Sequence, residues 1–97
     1  MGLKIYSPKA SEGTTIALQL IAFLLSDDER MDRFTSLSGI GLFDLKEGAQ
    51  NSVFLGFMLD YALQDEALIL AFAENQQISP QTLAVARRQL PGASDDF

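Results

Sequence analysis

The chain contains no cysteine and no histidine. Without cysteine it can form neither disulfides nor zinc sites with thiolate ligands. Without histidine it lacks the side chain that most often serves as a general base near neutral pH and as a ligand of transition metals. Only carboxylates, carbonyl oxygens and water remain to hold a metal ion, as they hold magnesium or calcium. We therefore expect a protein that is not an enzyme and needs no cofactor, and the sequence indicates no small-molecule substrate.

Positive charge is also scarce, with 7 lysines and arginines against 13 acidic residues and a net charge of −6. Such a surface repels phosphate backbones, which disfavours nucleic acid as a partner. The longest apolar run, residues 16–25, is too short to span a bilayer, and the start of the sequence lacks the basic leader of a secretory signal. We expect a soluble, cytoplasmic protein without a membrane partner.

Hydrophobic residues, in contrast, make up 47% of the chain. A small helical domain has a large surface for its volume, so some large apolar residues should stay exposed in a monomer. The composition therefore favours an unknown protein partner or a homodimer.

Helical periodicity and capping residues indicate an all-α protein, and no segment alternates as a strand does. The predicted N-terminal caps are Ser26 or Asp27, Ser52, Asp65 and Ser79, the last followed by Pro80. The predicted helices start at Ala10 and Leu42 and after the four caps, and they end at Leu25, Leu37, Glu47, Leu63, Glu74 or Asn75, and Leu90. Gly39 should stop the second helix in a left-handed conformation. We predict one domain over residues 1–97, a compact bundle of five or six short helices, with a loose lead-in at 1–9 and a mobile tail at 93–97.

The two halves of the chain resemble each other at a shift of 38 positions. The identical pairs are Leu25 with Leu63, Asp27 with Asp65, Phe34 with Phe72, Ile40 with Ile78, and Leu45 with Leu83. These positions are caps and apolar anchors, which a repeated helical unit would need. We favour two tandem three-helix units related by a 38-residue internal repeat, although any helical protein can show such coincidences.

The second unit is more apolar than the first, because Arg30 and Asp32 correspond to Leu68 and Leu70. The fifth helix is therefore left without an obvious polar face. Either it lies at the centre of the fold, which we consider the better interpretation, or its second apolar face contacts another chain. Leu68 and Leu70 are the candidate partner-binding residues.

Three blocks of the sequence, at residues 23–40, 57–73 and 78–92, carry recognisable patterns that begin FLLSDDERMDRF, FMLDYALQDE and ISPQTLAVARRQLPG. Together they resemble a small family of alphaproteobacterial proteins of about this length whose function is not established. The resemblance covers residues 16–92. It implies a bacterial cytoplasmic protein and brings no activity, cofactor or catalytic residue with it.

Two groups of carboxylates are candidate chemical sites. The acidic residues of the first group are Asp27, Asp28, Glu29 and Asp32. They could hold magnesium, but a capped and solvated helix start accounts for them better. Asp60 lies in an apolar helix, where burial could make it a general acid or base. Its four-residue spacing from Gly56 and Gln64 instead predicts a narrow polar stripe facing solvent.

Residues 73–83 resemble the core of a helix-turn-helix motif, in which Gln81, Arg87 and Arg88 would contact phosphates or bases. Against this interpretation, Gln77 stands where the turn glycine is usual, and the chain is strongly acidic. Our leading hypothesis is a non-catalytic protein-interaction module or homodimer. The alternative is nucleic-acid binding through the helix-turn-helix-like segment at residues 65–90.

Overall fold

The structure is a computed structural model that describes residues 10–92, with side-chain environments from residue 12 onwards. The predicted lead-in and tail lie outside the described residues. Within that range the chain forms six helices and no strand, which confirms the all-α prediction. The helices are α1 (Ala10–Leu25), α2 (Asp28–Ser38), α3 (Leu42–Gly48), α4 (Ser52–Leu63), α5 (Glu66–Gln76) and α6 (Gln81–Arg88).

Most helix boundaries follow from capping chemistry. Asp27 caps α2, because its carboxylate accepts a hydrogen bond from the backbone N–H of Glu29. Asp65 caps α5 by accepting from the backbone N–H of Leu68 at 3.2 Å. Gly39 ends α2 in the left-handed conformation, with φ of 78°. The Asp27 and Asp65 side chains satisfy backbone N–H groups that have no partner inside the helix, so a local sequence signal suffices to place these boundaries.

Three predicted boundaries are wrong. The N-cap of α6 is Pro80 and not Ser79, so Pro80 is not the first helical residue. The cap of α4 is Asn51 and not Ser52, because the Asn51 side chain accepts from two consecutive backbone N–H groups. The sixth helix begins at Gln81 and ends at Arg88, two residues short of the predicted Leu90. Its last turn is replaced by a bend in which the carbonyl groups of residues 90 and 91 accept hydrogen bonds from a side chain of α6.

The core is organised around α1 and α4, which pack against each other. Helix α1 also contacts α2 and α6, whereas α4 also contacts α3, α5 and α6. The largest fully buried side chains are Phe34, Phe72, Leu20, Leu24, Leu45, Met58, Leu59 and Leu83. Helices α1 and α4 are apolar on nearly every face because they lie at the centre of the bundle. None of the six helices in residues 10–92 has the length and hydropathy needed to cross a membrane.

The two halves have matching local geometry. The bounds of α2 and α5 differ by 38 positions at both ends. Both helices begin after an aspartate cap and end at a residue with positive φ, Gly39 and Gln77. The two halves therefore correspond in the bounds and caps of these two helices. The internal repeat itself stays a prediction.

Candidate interaction surface

The two residues predicted from the sequence to bind a partner, Leu68 and Leu70, differ in their exposure to solvent. Leu68 lies in the core with only 8% of its surface exposed, whereas Leu70 is 52% exposed. Helix α5 does have an outward face, formed by Glu66, Ala67, Leu70 and Glu74. The expectation that this helix lacks a polar face is therefore wrong. A single exposed leucine between two glutamates is common on soluble proteins, so Leu70 alone does not define a binding surface.

Arg87, nominated for nucleic-acid contact, is buried and points into the protein. Its Nε donates to Asp60 Oδ1 at 2.7 Å, and its Nη1 donates to the carbonyl oxygens of Leu90 and Pro91, each at 3.2 Å. A Cβ at Gly56 would lie 2.8 Å from Arg87 Nη1, so the glycine makes room for the guanidinium. The predicted solvent-facing stripe is consequently wrong for Gly56, which is buried against Arg87, whereas Asp60 binds Arg87 and stays partly exposed and Gln64 is exposed.

The other nominated nucleic-acid residues, Gln81 and Arg88, are exposed. They do not share a surface with the Arg87 guanidinium, because that group is turned inwards. In the turn before α6, Gln77 adopts the left-handed conformation at φ of 58° although it is not glycine, at the position where a helix-turn-helix motif usually has its turn glycine. Helix α6, however, packs mainly on α1 and α4. Its arginines serve two different roles, one in the interior and one in solvent.

The acidic start of α2 serves helix formation. Asp27 caps the helix and also pairs with Arg30 at 3.1 Å, and the Arg30 guanidinium lies 4.0 Å from the centre of the Phe23 ring. Asp28 and Glu29 are exposed in the first turn, where the helix dipole favours negative charge. In the part of the chain that the structure describes, no three carboxylates come together as potential metal ligands.

An open groove of about 770 Å³ lies between α2 and the corner where α4 meets α5. We call it the α2–α4 groove. The residues that define it are Arg33 and Leu37 on α2, Phe57, Asp60 and Tyr61 on α4, and Asp65 and Glu66 at the start of α5. Leu37 is 63% exposed and Phe57 is 40% exposed, so two large apolar side chains face solvent across it.

The apolar surface continues along α4 beyond the groove. Val53, four residues before Phe57 and on the same helical face, is 60% exposed. The Phe57 ring also lies 6.0 Å from the ring of Phe54. We call Leu37, Val53 and Phe57 the α2–α4 patch. The sequence indicated an apolar excess on α4 and α5 but named only Leu68 and Leu70, because the pattern of a helix that is apolar on nearly every face does not show which of its residues stay exposed.

Charged side chains also line the groove. Asp65, while capping α5, pairs with Arg33 at 3.5 Å. The Asp60 carboxylate is 48% exposed although it binds the buried Arg87. Burial raises the pKa of Tyr61 above its ordinary value, while the charge of Arg33 lowers this pKa and that of Asp65 raises it. The lining of the groove therefore combines exposed apolar side chains with carboxylates.

Fold and surface together define a small all-α protein with a groove lined by apolar and acidic side chains. The chain belongs to the family described as "Protein of unknown function (DUF3572)", whose model matches residues 10–93. This match confirms the resemblance to a family of unknown function, and the alphaproteobacterial origin stays a prediction. No curated protein and no solved structure matches the chain.

Proposed function

We propose that this protein is a non-catalytic protein-interaction module that contacts its partner through the α2–α4 patch. The observation that carries the proposal is the exposure of large apolar side chains from two different helices around one groove. Leu37 and Phe57 face this groove, and Val53 extends the same surface along α4. Isolated exposed apolar residues need no explanation, but a contiguous patch next to a concave surface is typical of binding sites.

The polar groups of the groove support a role without catalysis. Asp65 is occupied by the cap of α5 and by Arg33, and Asp60 by Arg87. A general acid or base must be able to reach a reacting group and exchange a proton with it. Structural roles already account for these two carboxylates, so binding is the better explanation of the groove.

A matched pair of double variants tests the proposal. Leu37→Ser with Phe57→Ser removes the two side chains of the patch that line the groove, whereas Leu70→Ser with Val85→Ser removes two exposed apolar residues on α5 and α6. A photo-crosslinking amino acid at position 53 would be introduced into the native protein and into each double variant in the native host. We expect a discrete adduct from the native protein and from the control, and none from the patch variant. No adduct from the native protein, or the same adduct from all three, would contradict the proposal.

A second copy of the chain is the other candidate occupant of the patch. Light scattering at several protein concentrations separates the two cases. A homodimer predicts a mass of about twice 10.6 kDa that falls to the monomer in the patch variant and not in the control. A partner of different sequence predicts a monomeric mass for all three proteins.

Nucleic-acid binding through residues 65–90 is the alternative with less support. The left-handed Gln77 fits a helix-turn-helix turn, but the buried Arg87 cannot reach a phosphate in this conformation. The test is binding of a fluorescent DNA duplex at low salt, with Gln81→Ala and Arg88→Ala as variants. Loss of affinity in both variants would favour this alternative, and absence of binding at micromolar protein would reject it.

A further inference from the structure

We propose that the α2–α4 groove accepts a basic amphipathic helix from another protein. The helix would place an apolar residue between Leu37 and Phe57 and direct lysines or arginines towards Asp60 and Glu66. This inference rests on the proposed function and specifies the chemistry of the partner.

The apolar half of the proposal comes from the walls of the groove. Leu37 stands on α2 and Phe57 on α4, and both side chains are exposed where they line the groove. Helices that bind in grooves insert apolar anchors at a spacing of three or four residues. A groove of about 770 Å³ has room for such side chains.

The basic half comes from the charges at the groove. Three carboxylates define it, on Asp60, Asp65 and Glu66, against the single cation Arg33. Arg33 is committed to Asp65, and the exposed Glu66 has no ion pair among the described residues. Even if Arg87 is included as the partner of Asp60, the local charge is negative, and the whole chain carries −6. A cationic partner would be attracted at long range and would find a counter-ion at Glu66.

The same charges argue against a second copy as the occupant. A two-fold contact would bring each acidic groove against an identical surface. No helix of the described chain offers a basic face, because Arg30, Arg33 and Arg87 are already paired with carboxylates of the same chain. Outside these pairs α6 presents one exposed cation, Arg88, and α3 presents Lys46 next to Glu47.

The probe for the test is a fluorescent amphipathic helix of leucine and lysine, about 14 residues and about 21 Å long. A leucine–glutamate peptide of the same length and pattern is the matched anionic probe. Binding is measured by fluorescence anisotropy at two salt concentrations. The groove variants are Leu37→Ser and Glu66→Gln. Their controls are Leu18→Ser and Glu12→Gln on α1, which does not line the groove; they replace the same residue types at positions that are also exposed.

We expect the lysine peptide to bind the native protein and the glutamate peptide not to bind. Leu37→Ser should weaken binding of the lysine peptide by about tenfold, the effect of losing one anchor of about 1.4 kcal/mol. Glu66→Gln should weaken it by about two- to tenfold at low salt and by less at high salt, because exposed charges are screened. Both controls should leave binding within about twofold, as expected for sites outside the contact.

Equal losses in groove and control variants would show nonspecific attraction to an acidic protein and would overturn the inference. Failure of the lysine peptide to bind would overturn it as well. If the adduct at position 53 nevertheless depends on the patch, the interaction module stands and only the basic chemistry of the partner is wrong. If the adduct is absent, the proposed function itself fails.

Discussion

The substitution Gly56→Ala probes the buried Arg87 network most sharply, because local and tertiary physics predict opposite signs for it. Gly56 lies in the interior of α4, where alanine is favoured over glycine by about 1 kcal/mol of helix propensity. In the folded protein the added Cβ would lie 2.8 Å from Arg87 Nη1 and 3.0 Å from the carbonyl oxygen of Pro91. Both distances are shorter than ordinary van der Waals contact, so the guanidinium or the bend after α6 must move.

The magnitude follows from what the movement breaks. Arg87 donates three hydrogen bonds, to Asp60, Leu90 and Pro91, and its side chain is only 10% exposed. A hydrogen bond that involves a charged group contributes about 1.5–3 kcal/mol. If the shift costs one such bond, the loss exceeds the gain in helix propensity. We expect the free energy of unfolding to fall by about 0.5–2 kcal/mol, which lowers Tm by about 4–8 °C for each kcal/mol in a domain of this size.

The assay is urea denaturation followed by circular dichroism at equilibrium, in a double-mutant cycle with Arg87→Ala. Once the guanidinium is absent, Gly56→Ala should be less destabilising by about 1 kcal/mol or more, because only the Pro91 contact remains. Stabilisation of the native protein by the full 1 kcal/mol expected from helix propensity would refute the reasoning. Additive effects of the two substitutions would refute the role assigned to Arg87.

Three further predictions concern burial, a strained turn and pH. Leu68→Ala should lower the free energy of unfolding by about 2–4 kcal/mol, because it truncates a buried leucine, and Leu70→Ala should lower it by less than about 0.5 kcal/mol. Equal shifts of the urea midpoint in the two variants would contradict the burial of Leu68. Gln77→Gly should raise the unfolding free energy by up to about 1 kcal/mol, because only glycine adopts positive φ without steric cost, and a lower urea midpoint would contradict this account of the turn. Burial raises the pKa of Tyr61 despite the opposing charge of Arg33, so its stabilising contribution is complete below the unfolded-state pKa of about 10 and is lost as pH rises through the folded-state pKa. Urea midpoints measured from pH 8 to 11 should therefore fall more steeply for the native protein than for Tyr61→Phe, and parallel curves would contradict the shift.

Part of the fold could be predicted because the signals are local. Asp27 and Asp65 cap α2 and α5 as expected, and Gly39 stops α2 in the left-handed conformation. The boundary errors have the same local origin. Asn51 and Ser52 are both good caps, so their order could not be decided without the backbone, and α6 ends early because Arg87 binds the carbonyl groups beyond it.

The candidate site was harder to predict, since exposure depends on which helices pack together. Leu68 and Leu70 stand two positions apart on α5, and one is in the core while the other faces solvent. The apolar pattern of α5 does not show which of its two faces is buried, because that depends on where α1 and α4 lie. Leu37 and Phe57 flank the groove, although nothing in the local sequence distinguishes them from the buried apolar residues of the same two helices.

The helical character of the chain, the ends of most of its helices and its net charge of −6 without cysteine or histidine can all be derived from the residues alone. These properties depend on residues within one turn of each other or on composition alone. The burial of Arg87 against Asp60 and the exposure of the α2–α4 patch, in contrast, depend on how the described helices pack together. The reason is physical: hydrogen bonding within a helix is satisfied locally, whereas burial requires contacts between residues far apart in the chain.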